Sequence, residues 1–326
     1  MSGAALASGY VADVVLGDPR RLHPVAGFGR LAWRAELLVY APTRPRGAGY
    51  AGALVGAAAL AGEGLARLAS RTGLGRSVVL AAVTWAALGG RSLTRVADRL
   101  AEELLAGDLH AARKTLPSLC GRDPQALDAA GLSRAALESV AENTSDAVVG
   151  ALLWGALAGP AGVAGYRAAN TLDAMVGHRS ARYSAFGWAA ARLDDALSWP
   201  AARLAACLTV ACAPLVGGSP SGALRAWRRD GSGHPSPNAG RVEAAFAGAL
   251  GLRLGGPSAY AGVTELRPTL GDGRAPTAAD VHSATRLSLA VGTAAAVTCA
   301  ALRTAVIALR TAVAAPRTAA AGRRAR

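Results

Sequence analysis

The chain has 326 residues, of which 52% are hydrophobic and 17% charged, and its mean hydropathy is +0.28; these values fit neither one large soluble domain nor two ordinary ones. The net charge of +14 would point to nucleic acid in a soluble protein, but the arginines are scattered through loops and the tail with little aromatic interleaving, which argues against that partner. Basic loops flanking apolar segments instead fit a multi-pass protein of the cell (inner) membrane, with the lipid bilayer as its partner.

In chain order, the first sixteen residues are apolar but lack the basic start of a secretory signal, so they read as a retained, weak membrane segment or an entry helix. Residues 17–49 are polar and carry GDPRRLHPV and APTRPRGAG. Stretches near the ~20 residues a bilayer requires lie at 50–66, 76–90, 147–165, 199–216 and 284–302. Their small residues suit close helix packing in lipid. Residues 91–146 read as amphipathic helices, with Arg91, Arg95 and Arg99 opposite Leu93, Val96, Leu100 and Leu104. A simple crossing by 147–165 would leave the polar motifs on its two sides separated by the bilayer; Gly159-Pro160 offers a break there. Residues 217–283 are rich in Gly, Pro and Ser and read as loop with short helices, without strand alternation of useful length. The expected fold is therefore all-α: a polytopic membrane helical bundle with amphipathic helices and polar loops. It forms one integral-membrane domain over 1–316, followed by a basic, disordered tail at 317–326 that touches anionic lipid.

Three polar clusters carry candidate chemistry. In the first, Glu138, Glu142 and Asp146 are spaced i, i+4, i+8, which stacks them on one face of a regular helix, with Asn143 and Ser145 beside them. Like charges so placed repel, and a cation or raised pKa values would account for them. Oxygen ligands in this arrangement suit Mg²⁺. The alternative is a solvated helix face capped at Ser133. The second cluster holds Asn170, Asp173, His178, Arg179, Arg182 and Tyr183, then Arg192, Asp194 and Asp195. Its arginines suit phosphate or carboxylate oxygens; the alternative is a set of buried ion pairs locking helices together. The third is the rigid loop His234-Pro-Ser236-Pro-Asn238-Ala-Gly240 followed by Glu243, and Arg20 and His23 lie in a similar Pro-flanked run.

Cys120, Cys207, Cys212 and Cys299 show neither CxxC nor Cys/His ligand spacing, so no zinc site or disulfide framework is expected. A single lysine, Lys114, on an exposed-looking helix argues against a pyridoxal-phosphate Schiff base. P-loop, nucleophile-elbow and HExxH patterns are absent from the sequence.

GDPRRLHPV at 17–25, GRD at 121–123, ESVAENTSD at 138–146, NTLDAMVGHRSARYSAFGWAAARLDD at 170–195 and HPSPNAG at 234–240 together resemble the adenosylcobinamide-phosphate synthase (cobinamide synthase) family of cobalamin-biosynthesis membrane proteins. The chain departs from that family's pattern at Ser198, where Asn is usual, at His178, where Tyr is common, and after HPSPNAG, where only Glu243 of a Trp-Pro-Glu run is kept. The resemblance implies an ATP-dependent amide ligase that joins adenosylcobyric acid to aminopropanol phosphate. It implies Mg²⁺ on Glu142, Asp146 and Asp173, and a proton acceptor among Glu138, Asp194 and Asp195. Arg182 and Arg192 would face phosphoryl charge, and Arg20, His23, Asn143, Ser145, Asn170, Arg179, Tyr183, His234, Ser236, Asn238 and Glu243 would line the substrates. Other enzymes of the pathway or further copies of the chain are candidate partners. A non-catalytic regulatory relative and a corrinoid transporter are the alternatives.

Overall fold

The structure, a computed structural model, describes residues 3–19, 23–71, 75–178, 180–260 and 263–323. It is nearly all helical. An apolar α1 (Gly3–Leu16) leads to α2 (Pro24–Val39), the long α3 (Arg44–Arg71) and α4 (Gly75–Ala87). The amphipathic α5 (Gly90–Leu105) and short α6 (Leu109–Thr115) precede α7 (Ala129–Asn143), α8 (Gly150–Ala158) and α9 (Pro160–Leu172). A single turn, α10 (Tyr183–Phe186), opens the long α11 (Trp188–Cys212), and α12 (Pro220–Asp230) and α13 (Ala239–Leu250) pack side by side. Strands β1 (Leu254–Tyr260) and β2 (Val263–Leu270) then form an antiparallel pair, and α14 (Ala278–Arg323) closes the bundle.

Among the described residues, four helical stretches are long and apolar enough to cross a membrane: Arg44–Arg71, Gly75–Leu105, Trp188–Val216 and Ala278–Val313. They contain four of the five segments expected from sequence. Large apolar side chains such as Leu31, Trp33, Leu38, Leu60, Leu68, Val78, Val297 and Leu309 are exposed on the helices, as the outer surface of a membrane protein requires. The main core is formed by buried residues of α1, α4, α5, α7, α8, α11, α13 and α14, and a smaller one gathers Ala32, Tyr50, Leu172, Val176 and Phe186.

The fifth expected span, 147–165, is not a single crossing. Gly159 adopts φ 67, a left-handed conformation that glycine takes without a steric penalty, and Pro160 occupies the first position of α9. The chain folds back there, so that Gly162 lies against the Trp154 carbonyl with no room for a side chain. The last carbonyls of α8 are satisfied by α14, where Arg303 donates to Ala156 O at 3.2 Å and Arg310 to Leu157 O at 3.2 Å.

The β-pair corrects the expectation of loop and short helix at 217–283. Its sequence carries Gly and Pro in place of alternating branched residues, so the strands leave little mark on the pattern. The backbone of 317–323, expected as a disordered tail, continues α14 through an alanine-rich run that favours helix.

Helices α12 and α13 meet glycine to glycine. A side chain at Gly248 would strike the Gly222 carbonyl, whereas one at Gly52 on α3 would meet no atom within 4 Å. Gly248→Val should therefore lower stability by roughly 1–3 kcal/mol. Gly52→Val should leave it unchanged. Thermal unfolding of both variants in detergent checks this, and equal melting temperatures would refute the packing account.

Candidate active site

Two interruptions of regular helix carry the acids. At Thr144–Val149 and at Asp173–Gly177 the backbone widens into π-turns, a geometry that often marks functional positions. The first turn carries Asp146 and the second begins with Asp173. The wider turn takes Asp146 off the line set by Glu138 and Glu142, so the expected single stripe is divided between two neighbourhoods that meet at Glu142. The solvated-face alternative does not hold. Helix α7 is capped by Asp128, whose side chain accepts from Gly131 N at 2.7 Å, while Ser133 lies inside the helix and Glu138 is only 3% exposed.

In the first neighbourhood Glu138 pairs with Arg122 and also accepts the backbone N–H of Gly255 on β1 at 2.7 Å. His234 is buried beside them. Its Nδ1 accepts from Ser236 N at 3.0 Å, and its Nε2 lies 4.0 Å from Glu243 Oε1. The Arg267 guanidinium lies 3.2 Å from that same nitrogen. Burial, reinforced by Arg267, pushes the His234 pKa down to about 4. Burial pushes Glu142 up as well; Arg267 and Arg122 oppose that shift and Glu138 adds to it. Glu243 is raised well above the carboxylate range by burial and by the charges of Glu138 and Glu142.

The second neighbourhood gathers Asp146, Asp173 and Asp194. Burial raises the Asp146 pKa, and the charges of Asp194, Glu142 and Asp173 raise it further. Asp173 is pushed up to about 6 by burial, then by Asp195 and Glu142. Asp194 accepts from Asn170 Nδ2 at 3.3 Å, and Asn170 Oδ1 accepts from Arg167 at 3.1 Å. Ser198 Oγ stands 3.5 Å from both Asp194 oxygens and 3.2 Å from the Tyr166 hydroxyl. Among the described residues, no three His, Cys, Asp or Glu side chains close around a point as a ready metal cage. Mg²⁺ asks for less, since one or two carboxylates with substrate phosphates hold it. The oxygen-only donors and their mutual repulsion fit such an ion.

A polar pocket of about 490 Å³ opens beside these groups, lined in part by Tyr183, Arg192, Asp195, Arg203, His234 and Arg241. Arg192 faces Asp195 at 3.8 Å. Asn238 braces the wall, donating to Asp195 O at 2.8 Å, and Ser236 Oγ accepts from the backbone N–H groups of Asn238 and Ala239, each at 3.2 Å.

Other expected site residues are placed elsewhere or are already engaged. Arg182 donates to Glu36 at 2.9 Å and lies over the Tyr40 ring, so it anchors α2. Tyr183 also donates to Glu36, at 2.9 Å. His23 accepts from Val25 N at 3.2 Å as the N-cap of α2, Asn143 donates to Ser139 O at 3.0 Å, and the buried Ser145 hydroxyl stands beside Asp146. Arg20 and Arg179 lie outside the described residues. Sequence reasoning missed Arg122, Tyr166, Arg167, Arg203, Arg241 and Arg267 as site residues. For Arg122 the signal was its place in the GRD motif; for Arg267, in a stretch read as loop, there was none.

Such a fold and site define a helical membrane protein, with four helical stretches long and apolar enough to cross a bilayer, that gathers acids and arginines around a polar pocket. The chain belongs to the CobD/Cbib protein family, whose model matches residues 6–288. It is 57% identical over 289 residues to "Cobalamin biosynthesis protein CobD" of Mycobacterium tuberculosis, covering 89% of this chain and 92% of that protein. The proteins of the same name from Chromobacterium violaceum and Pelobacter propionicus are 44% and 42% identical, covering 84% and 82% of this chain and 88% and 84% of those proteins. No solved structure matches the chain.

His234 gives the site a pH signature. Its folded pKa lies below the unfolded value of 6.5, so its contribution is intact above pH 6.5 and is lost as pH falls toward 4. At pH 5 the loss should be about 2 kcal/mol. The raised acids Glu142 and Asp173 act in the opposite sense, because protonation relieves their burial. His234→Gln removes only the first effect, so unfolding compared at pH 7.5 and pH 5 should show the wild type losing more stability than the variant. Parallel pH dependence in the two proteins would remove His234 from this account.

Proposed function

We propose that this chain is a membrane-bound, ATP-dependent amide ligase of cobalamin biosynthesis. It would join the propionate carboxylate of adenosylcobyric acid to the amine of aminopropanol phosphate, giving adenosylcobinamide phosphate. The relatives named for cobalamin biosynthesis support the pathway. The observation that carries the reaction is the meeting of Glu142, Asp146, Asp173 and Asp194 beside a pocket walled by arginines.

A carboxylate is a poor acyl donor because oxide is a poor leaving group. Transfer of the terminal phosphoryl group of ATP to a carboxylate oxygen gives an acyl phosphate and ADP. The amine then attacks the carbonyl carbon, the bond from that carbon to the phosphate oxygen breaks, and phosphate leaves. The proton lost by the ammonium goes to a carboxylate. Asp195 is the candidate we favour for this role, supported by its half-buried position in the pocket wall and by the Asn238 bond to its own backbone. Glu138 is a poorer candidate, since Arg122 and the Gly255 amide already engage it. Arg192, also in the wall, faces phosphoryl charge. Asp146 and Asp173, with Glu142, are the residues to hold Mg²⁺, which when bound would neutralise phosphate oxygens.

The test is turnover by purified protein in detergent with adenosylcobyric acid, aminopropanol phosphate, ATP and Mg²⁺, read by mass spectrometry. Amide should form only with both ATP and Mg²⁺. Asp146→Asn should lower the rate about 100-fold or more while membrane insertion is unchanged. Product without ATP would sink the ligase reading, and normal turnover by Asp146→Asn would sink the metal assignment.

A further inference from the structure

The polar pocket has an unbalanced charge. Arg192 stands opposite Asp195 at 3.8 Å, but the other two arginines in its wall, Arg203 and Arg241, meet no carboxylate among the described residues. Arg203 is fixed in place: its NH1 donates to Trp199 O at 3.0 Å and to Asn238 Oδ1 at 2.9 Å, and its guanidinium lies 4.3 Å from the Trp199 ring centre. The side chain of Arg241, in the first turn of α13, makes no hydrogen bond or ion pair among the described residues, and its Nε is shielded from solvent. The two cations are close enough to act on each other electrostatically. Two half-buried guanidiniums with no counter-ion repel each other and lose hydration, a cost that an anionic ligand would remove.

We infer that Arg203 and Arg241 form a binding site for a phosphate dianion in the wall of this pocket. A phosphomonoester carries about −1.5 to −2 charges at neutral pH, which matches the two unpaired cations. Guanidinium groups also suit its oxygens geometrically, through paired N–H donors. His234 in the same wall is held uncharged and adds no third cation.

Two substrates of the proposed reaction carry such a group: the amine phosphate and the nucleotide. The placement favours the amine phosphate, an assignment that rests on the ligase reading. Asn238 joins the two halves, donating to Asp195 O at 2.8 Å while accepting from Arg203 at 2.9 Å. A short amino-alcohol phosphate has its amine and phosphate only a few bonds apart. It would set the amine near Asp195 with its phosphate on the arginines.

The test is binding, measured calorimetrically on the full chain in detergent with O-phosphoethanolamine, ethanolamine and ATP with Mg²⁺. Wild type should bind O-phosphoethanolamine and not ethanolamine. Arg241→Gln should weaken O-phosphoethanolamine at least tenfold and leave the nucleotide unchanged, while Arg241→Lys should retain part of the affinity and controls for folding. If only nucleotide binding weakens, the dianion site stands and its source is the nucleotide. If wild type binds neither phosphate compound, or Arg241→Gln binds both as wild type does, the inference is overturned. Phosphate-selective binding without amide formation in the turnover assay would sink the ligase reading and leave this site standing.

Discussion

The constraint on which this structure depends is the cost of burying carboxylates in an apolar helical body. An ionised carboxylate removed from water must find a cation or fixed N–H groups, or else take up a proton. The Arg122–Glu138 pair meets that need at the centre and does so with segments far apart in sequence. Arg122 comes from the connection after α6, Glu138 from α7, and the second donor to Glu138 is Gly255 N on β1. Arg134, one turn before Glu138, donates to Gly255 O and Pro257 O, each at 2.7 Å, and fastens the same strand. The β-pair is thus held on α7 by polar contacts and in turn brings Arg267 to His234. Without the hairpin, Glu138 would lose one of its two partners, and Glu142 and Glu243 the nearby Arg267 charge.

Helix irregularity does the rest of the positioning. A regular α-helix through 138–149 would keep all three acids of the ESVAENTSD motif in one row. The π-turn instead leaves Glu138 with the arginines and brings Asp146 toward Asp173 and Asp194, which come from two other elements. The reversal at Gly159-Pro160 has a related effect. It keeps the motifs on α7 and α9 in one body, where a straight crossing would separate them, and the carbonyls freed at the end of α8 are met by Arg303 and Arg310.

What the sequence made legible follows from the range of the interactions. Apolar length is local, so the long helices were readable, and so was the break, because Gly and Pro act on their own backbone. Glu142, Asp146, Asp173 and Asp194 were readable as polar residues set among apolar ones. The hairpin was not, since LGGPSAY lacks strand alternation and contacts from α7 hold the pair. The π-turns were equally hidden, because the residues in them keep a spacing that a regular helix also satisfies. Arg182 shows the opposite error. Its motif suggested phosphate, yet its partner Glu36 lies 146 residues earlier, and no local pattern reports a pairing at that separation.

The arrangement also explains why the two charge sets do not neutralise each other. Asp194 and Asp195 sit in the second turn of α11, and Arg203 lies on the same helix two turns further on. The group between them is Asn238, which is neutral and satisfies both sides, donating to the Asp195 carbonyl and accepting from Arg203. An acidic residue there would form an ion pair with Arg203 and discharge the pocket. An asparagine gives the same mechanical support and leaves the field of each set intact. The acids therefore remain short of cations and the arginines short of anions, with a polar pocket between them. Ligands of opposite charge would lower the energy on both sides, and that electrostatic cost built into the folded protein is the physical basis of the proposed phosphate site.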